Sequence, residues 1–594
     1  MNKKILVLLA IIIIAILAIA AIAIKQKRAA QNSEITKEEL QQKFQSLKSQ
    51  YDAAKAQGVD VSEVEGLGLE AKQAFDNKDY KKAGDLLDTA QTALNKAVIP
   101  AKTPISPSPI ILPAPSPKSS PAPIGKTWLN EGAIYETHPY YYPNHSFKEI
   151  TEQIPHLKEL GVKTIYLMPI WERAMKRQET TLIYLINDYY KIDPAYGSPD
   201  DLKELIDIVH KNDMKILFDL VTCCTPPNSI IYNNNWTYSF SSTELAEKAK
   251  EMNWKLEYTT LDGRNFVFAG KHKSSVAGGK DLYEFGGEIS GDRIMVRSFP
   301  IAGWGPAVDL GNANVIKYFT QIAEYYVKEY GIDGWRIDAP SNNYNSMVFS
   351  GDHSSEKLLI SAIGAVKKIK PDAAFISEPG LSKKVPAELE YANLPRLMPG
   401  IAANTITSQQ LIDKLAQGIA TLGKTPLLVL ESHDQSRLNK DNSTLNKNFL
   451  VMISTLPGIP FIQAGQEIGA TNDWFRTGNA DPKVNWINGD YGLRDFYKKV
   501  FSIRNSSSAL KYGDIKNVWK SGDNIYAYSR AYENETVIVV INFNGKQVES
   551  VLDIPFPNGT RLKDELNGEI FTVSDSANFK ITVPAYGSRI LTVK

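Results

Sequence analysis

The sequence predicts an α/β protein built on a closed barrel of strand–helix repeats, and three patterns predict it. From Trp128 onward, short apolar strands alternate with amphipathic helices. Roughly eight such repeats fit before Arg504, and after about Asn505 the helices give way to strands alone. Apolar strands separated by helices belong to a parallel sheet covered on both faces, and eight of them close into a (β/α)8 TIM barrel. A long stretch after the third strand holds no such repeat and predicts an inserted subdomain. The tail predicts a C-terminal antiparallel β-sandwich, and a small helical segment precedes the barrel.

In chain order, Ile5–Ile24 is an unbroken apolar run between Lys3–Lys4 and Lys25, Lys27 and Arg28. At about 1.5 Å rise per residue it reaches roughly 30 Å, the thickness of a bilayer core. Residues 1–32 therefore read as a transmembrane anchor with its flanks. The run exceeds the apolar stretch of a cleaved signal peptide, and basic residues on both sides leave its orientation open. Residues 33–98 read as a helical spacer. Phe44, Leu47, Tyr51 and Ala54 recur at helical spacing, as do Leu86, Leu87, Ala90, Ala93 and Leu94, with a turn at Asp76–Asp79. Within the linker 99–126, Pro100 to Pro123 holds nine prolines. Such a segment extends at about 3.1 Å per residue, on the order of 70–80 Å in all. The barrel with its insert is expected over 127–505, the insert at about 222–305, and the sandwich over 506–594. In the barrel, strands are expected at Val162–Ile170, Met214–Val221, Gly334–Ala339, Ala373–Pro379 and Pro426–Asp434. Helices are expected at Asp200–Asp213 and Asn314–Tyr330.

Composition narrows the function classes. A formal net charge of +1 gives no footing for nucleic acid. The two cysteines, Cys223 and Cys224, are adjacent, which makes neither a disulfide framework nor a zinc spacing. They read as free thiols, and no metal or cofactor is called for. Reactive side chains of a (β/α)8 barrel gather at the C-terminal ends of its strands. Those ends supply Asp219, Arg336, Asp338, Glu378, His433 and Asp434. Retaining glycoside hydrolysis needs two carboxyl groups about 5–5.5 Å apart, which neighbouring strand ends can provide.

The same residues carry a resemblance. NDYYKIDPAYGSPDDLKELIDIVHKNDMKILFDLV (187–221), AVDLGN (307–312), GWRIDA (334–339), ISEPG (376–380), LESHD (430–434) and GIPFIQAGQEIG (458–469) resemble, in order and spacing, the motifs of the α-amylase family, family thirteen of the glycoside hydrolases. The resemblance runs from about Gly132 to Lys594. It implies an α-glucan or oligosaccharide substrate, with Asp338 as nucleophile, Glu378 as acid and base, and Asp434 binding sugar hydroxyls in the transition state. Arg336, His433, Tyr184, Asp219 and Arg437 are implied as substrate contacts. The expected location is at a membrane through residues 5–24, with the catalytic head outside the cell. Oligomeric state is not legible.

Three departures stand out. Where the family pattern Asp-x-x-x-Asn-His ends, this chain has Cys223 and Cys224. Cys224 thus replaces the histidine that meets the reacting sugar, and Cys223 replaces an asparagine that ligates calcium, for which a thiol is a poor ligand. Around Tyr184 the expected neighbours are replaced by Leu182, Ile183 and Leu185, and Pro340–Asn342 replace a Lys-His pair. The competing reading is a catalytically inactive amylase-like ectodomain serving as a membrane-tethered binding or scaffold protein. Retention of Asp338, Glu378, Asp434, Arg336 and His433 together speaks against it.

Overall fold

The computed structural model describes residues 126–594 except 174–182, 228, 262, 274–280, 299–304, 341–354, 393, 395–396 and 474–481. Nearer the N-terminus it describes residues 40, 43–44, 47, 51, 62–76 and 79–98. The apolar run 5–24, the proline-rich stretch 100–123 and the turn residues Asn77 and Lys78 lie outside them. Among the described residues no helix is long and apolar enough to cross a membrane.

The chain divides into two compact units, residues 1–116 and 117–594. In the first, helices Ser62–Asp76 and Tyr80–Val98 pack through Val64, Ala71, Leu87, Ala90 and Leu94. Leu40 and Leu47 join the same core, and Lys43 pairs with Asp88 at 2.8 Å on the surface.

The second unit is organised by eight parallel strands: β1 (Ala133–Thr137), β2 (Val162–Leu167), β3 (Lys215–Leu220), β4 (Gly334–Ile337), β5 (Ala374–Ser377), β6 (Leu389–Ala392), β7 (Thr425–Val429) and β8 (Ile459–Gln463). They close in sequence order, β8 pairing with β1, into the (β/α)8 barrel. Strands buried on both faces leave little room for polar residues, which is why they read as apolar runs. Helices follow every strand but one. Phe147–Leu160 and Pro199–Lys211 are each started by a serine cap with an acid three residues on, Ser146 with Glu149 and Ser198 with Asp201. No helix joins β5 to β6. The connection Glu378–Glu388 contains Pro379, Gly380 and Pro386, and the Glu388 carboxylate takes the Phe375 N–H at 2.7 Å. That is a difference from the eight helices the repeats predict, and the prolines and glycine account for it.

The strands also end sooner than their apolar patterns suggest, at Leu167, Leu220, Ile337, Ser377 and Val429. Asp338, Glu378, His433 and Asp434 consequently stand on the segments leaving the barrel, not on the strands themselves.

Between β3 and helix Ala313–Glu329 lies a five-stranded antiparallel sheet, in the order Ser239–Ser241, Arg293–Val296, Phe285–Ser290, Arg264–Ala269 and Glu257–Leu261. It is stitched to the barrel through its backbone: Cys224 pairs with Ala307, Val308 N donates to Cys223 O at 3.2 Å, and Thr225 N donates to Pro306 O at 3.0 Å.

The C-terminal region holds a six-stranded and a three-stranded antiparallel sheet. Strand Glu535–Asn542 sends Ile538 and Val540 into the core between these sheets, and Val537, Val539 and Ile541 into the barrel core. An alternation of apolar and polar residues is expected over Thr536–Asn544; the structure instead buries both faces of the strand from Val537 on. Arg504 of the last barrel helix is fully buried and donates to Asn130 O at 3.0 Å and Gly458 O at 3.1 Å, tying the ends of the barrel together.

Gly334 opens β4 with φ 149°, and a Cβ there would stand 1.8 Å from the carbonyl oxygen of Ala374 on β5. Backbone cannot yield as a flexible side chain can. Gly334→Ala should therefore cost about 3 kcal/mol or more and be read as a large fall in Tm or loss of soluble protein. A variant as stable as the parent would show that β4 and β5 do not approach this closely.

Candidate active site

The barrel mouth is assembled around Arg336. Asp219 on β3 and Arg336 on β4 are register partners, so their side chains leave the sheet on the same face. Both are fully buried. Arg336 Nη1 donates to Asp219 Oδ1 and Oδ2 at 3.0 Å and to Asp338 Oδ1 at 2.7 Å, while Nη2 contacts Glu378 Oε1. Asp338 follows β4 directly, its N–H bonded to Leu220 O at 3.1 Å. Glu378 follows β5, and its second oxygen takes the Ala339 N–H at 2.8 Å. Ala339 makes that bond from the left-handed region, at φ 39°. Alanine seldom adopts that region, so the surrounding contacts hold the backbone there.

Three carboxylates thus face one guanidinium. Burial, with Glu378 and Asp219 adding repulsion, pushes Asp338 up to about 8 against the pull of Arg336. Glu378 is raised as well, chiefly by burial and by Asp434, and Arg336 is held firmly cationic by its carboxylates. The charge imbalance keeps a proton within the Asp338–Glu378 pair near neutral pH. Both members sit on adjacent nitrogens of one arginine. Such a pair can supply a carboxylate and a carboxylic acid side by side, the requirement of a retaining mechanism.

Further along the mouth, Tyr184 Oη donates to Asp219 Oδ2 at 3.1 Å and meets His433 Nε2 at 2.8 Å, its ring stacked on the imidazole. Asp434 lies 3.5 Å from the same Nε2, and its side chain is 47% exposed, open to a ligand. Of the residues singled out from the sequence, Asp219, Arg336, Asp338, Glu378, Tyr184, His433 and Asp434 come together here. Arg437 does not. It is fully buried, with Nη1 on Glu431 Oε1 at 2.9 Å, Nη2 on Ala464 O at 2.8 Å and Nε on Asn472 O at 3.0 Å. Its expected place at the substrate is corrected to a brace between the segments following β7 and β8. Asp219 and Arg336 differ from the expectation in a milder way. They are shielded from solvent and act on the other carboxylates.

The two cysteine side chains converge, their sulfur atoms 3.2 Å apart, but each makes a different second contact. The Cys223 thiol lies 3.5 Å from Asp338 Oδ2, the nucleophile candidate's oxygen that Arg336 leaves free. Cys224 pairs by its backbone with Ala307 and turns its thiol to Tyr184 O at 3.7 Å. No disulfide joins the two thiols. Position 223, not 224, therefore faces the reacting centre. Among the described residues no group of three or more His, Cys, Asp or Glu side chains could hold a metal ion.

Two residues at the site escaped the sequence analysis. Tyr166 on β2 donates to Asp219 Oδ2 at 2.5 Å. Glu136 on β1 receives both the backbone N–H and the ring Nδ1 of His433, at 2.9 and 2.8 Å. The rule that found Asp219, an acid near the end of an apolar barrel strand, finds Glu136 once Ala133–Thr137 is recognised as a strand.

The architecture is that of a (β/α)8 barrel with an antiparallel C-terminal β-domain and a carboxylate cluster at the barrel mouth. Residues 145–349 match the alpha-amylase catalytic domain, and residues 517–590 match the C-terminal domain of maltogenic amylase. A cyclomaltodextrinase of Thermoanaerobacter pseudethanolicus is 26% identical over 424 residues, 67% of this chain and 63% of that protein. A maltogenic alpha-amylase of Bacillus acidopullulyticus is 25% identical over 425 residues, with the same two shares. The chain thus spans 63% of the length of these relatives. The solved alpha-amylase of Geobacillus thermoleovorans superposes with a TM-score of 0.60 at 18% identity, over 79% of this chain and 99% of that one, and shares the fold.

Removing the central cation tests the cluster. Arg336→Met leaves three largely shielded carboxylates without their cation and should cost about 3–5 kcal/mol at neutral pH. The loss should shrink toward pH 4–5, where the carboxyls can protonate. Equal destabilisation at both pH values, read by denaturant titration, would show that packing and not charge is what Arg336 supplies.

Proposed function

We propose that the protein is a retaining glycoside hydrolase of α-amylase type acting on α-glucans. The observation that carries this reading is the shared grip of Arg336 on Asp338 and Glu378. In the reaction, Asp338 Oδ2 attacks the anomeric carbon while Glu378 gives its proton to the departing glycosidic oxygen. Oδ1 stays on Arg336, which stabilises the ionised nucleophile as the proton of the pair moves to Glu378. The C–O bond breaks as the glycosyl ester forms. Water, deprotonated by Glu378, then attacks the same carbon and releases Asp338. Asp434, open to the pocket, binds sugar hydroxyls through the oxocarbenium-like transition state, and His433 and Tyr184 frame the same sugar.

The relatives' names, cyclomaltodextrinase and maltogenic alpha-amylase, support maltooligosaccharides and cyclic α-glucans as the substrates to try first. The apolar run 5–24 and the proline-rich stretch after it support a further reading, that the enzyme is tethered to a membrane and works outside the cell.

Incubating the full-length chain with cyclomaltodextrin, maltooligosaccharides, starch and pullulan should give products of retained anomeric configuration. Asp338→Asn should lower kcat by at least about 10⁴-fold with an unchanged Tm. Activity near the parent's in that variant, or products of inverted configuration, would remove the mechanism.

A further inference from the structure

Glu136 sits outside every motif discussed above, yet its buried carboxylate is wholly occupied by one residue. Oε1 accepts the His433 backbone N–H at 2.9 Å, and Oε2 accepts from His433 Nδ1 at 2.8 Å. The opposite ring nitrogen, Nε2, meets Tyr184 Oη at 2.8 Å. A phenol has one proton, and Tyr184 gives it to Asp219 Oδ2 at 3.1 Å. Burial holds that phenol well above its ordinary range, so it stays protonated. With that proton donated to Asp219, its oxygen accepts from His433 Nε2–H, the direction that the Asp434 carboxylate, an acceptor 3.5 Å from Nε2, also favours. Both imidazole nitrogens act as donors, and a ring that donates twice carries a positive charge.

We propose that Glu136 is a positioning residue for the reaction assigned above, clamping His433 by backbone and ring so that it stands in the pocket as an imidazolium with Nε2–H aimed at Tyr184, Asp434 and the bound sugar. The inference rests on the proposed glycosidase reading for its catalytic meaning, but not for the geometry. It makes His433 a second cation at the mouth beside Arg336, where a charge-assisted donor binds a sugar hydroxyl more tightly than a neutral imidazole would.

The groups around the ring come from several elements. Asp434 on its own segment lies 3.5 Å from Nε2, Glu136 reaches in from β1, and Tyr184 stacks on it. Arg336 opposes the charge from β4, and the charge of His433 is in turn felt by Glu378 and by His138, which burial keeps neutral. Burial lowers the imidazole, but Asp434 and Glu136 outweigh it and hold His433 up to about 9. A histidine raised from its ordinary 6.5 keeps its proton until pH approaches 9; the stability this gives is full below 6.5, declines from there and is lost as pH climbs through about 9.

The test is Glu136→Gln in the full-length chain, with Glu136→Asp as the charge-keeping control. Ring-labelled histidine NMR, with the His433 signal assigned by its disappearance in His433→Gln, should show the parent ring titrating near 9. Glu136→Gln should move it down by about one pH unit or more, and Glu136→Asp should keep it high. On a maltooligosaccharide, the parent's alkaline limb near 8 belongs to the Asp338–Glu378 pair, and Glu136→Gln should add an earlier fall in kcat/KM at the lowered pH of the ring. A parent ring titrating near 6.5, a ring unmoved by Glu136→Gln, or an activity loss equal at every pH would overturn the proposal. Absence of turnover on any α-glucan would sink the glycosidase reading alone, because the NMR arm needs no substrate. Should Glu136→Gln fail to fold, the parent's own titration decides whether His433 is the imidazolium.

Discussion

One guanidinium buried at the barrel mouth sets the terms for everything around it. Arg336 is buried completely, and a buried charge must be paired or it destabilises the fold. Its pairing demands acids from the neighbouring strands: Asp219 from β3, Asp338 from the exit of β4 and Glu378 from the exit of β5. That arrangement works only if β4 lies tight against β5, which is why a glycine opens the strand. It also requires the strands to stop early, so that two of the acids stand on backbone free to turn inward. The left-handed Ala339 is the visible sign of that turn. Structural necessity and chemistry coincide here, because the imbalance of acids over cation is what retains a proton in the pair.

Much of this was legible in the sequence. Parallel strands covered on both faces are written as apolar runs, so the barrel followed from Val162–Ile170, Met214–Val221 and their successors. Acids and an arginine interrupting such runs are conspicuous, and Asp219, Arg336, Asp338 and Glu378 were found for that reason. What periodicity cannot register is direction. It gave no way to say that Cys223 faces Asp338 while Cys224 faces Tyr184 O, since that depends on the pairing of Cys224 with Ala307 far along the chain. Nor could it separate Arg437, a buried brace, from an arginine reaching for substrate. Glu136 was missed because β1 is short and followed at once by Pro139 and the tyrosines 140–142, which mask the strand pattern.

The strand Glu535–Asn542 illustrates a related limit. Alternation signals one wet face, and this strand has none, because one face fills the C-terminal core and the other the barrel core. Tyr528 reinforces the join with a hydroxyl contact to Thr455 at 2.6 Å. The C-terminal sheets thus pack on the barrel through a shared apolar core, which separating the two would expose.

The backbone stitching of the inserted sheet bears on modularity. An insertion between two strands invites exchange: cut at 222 and 305, and graft the corresponding piece of another protein. Here the cut points are themselves paired, Thr225 N to Pro306 O and Val308 N to Cys223 O, and a side chain at Gly305 would collide with Thr225 O at 2.0 Å. The same few residues carry the thiol that touches Asp338. A transplanted insert would arrive with its own version of this seam, and with it a different neighbour for the attacking oxygen. In engineering terms the insert and the reacting centre form one cassette, and the smallest portable unit includes the end of β3.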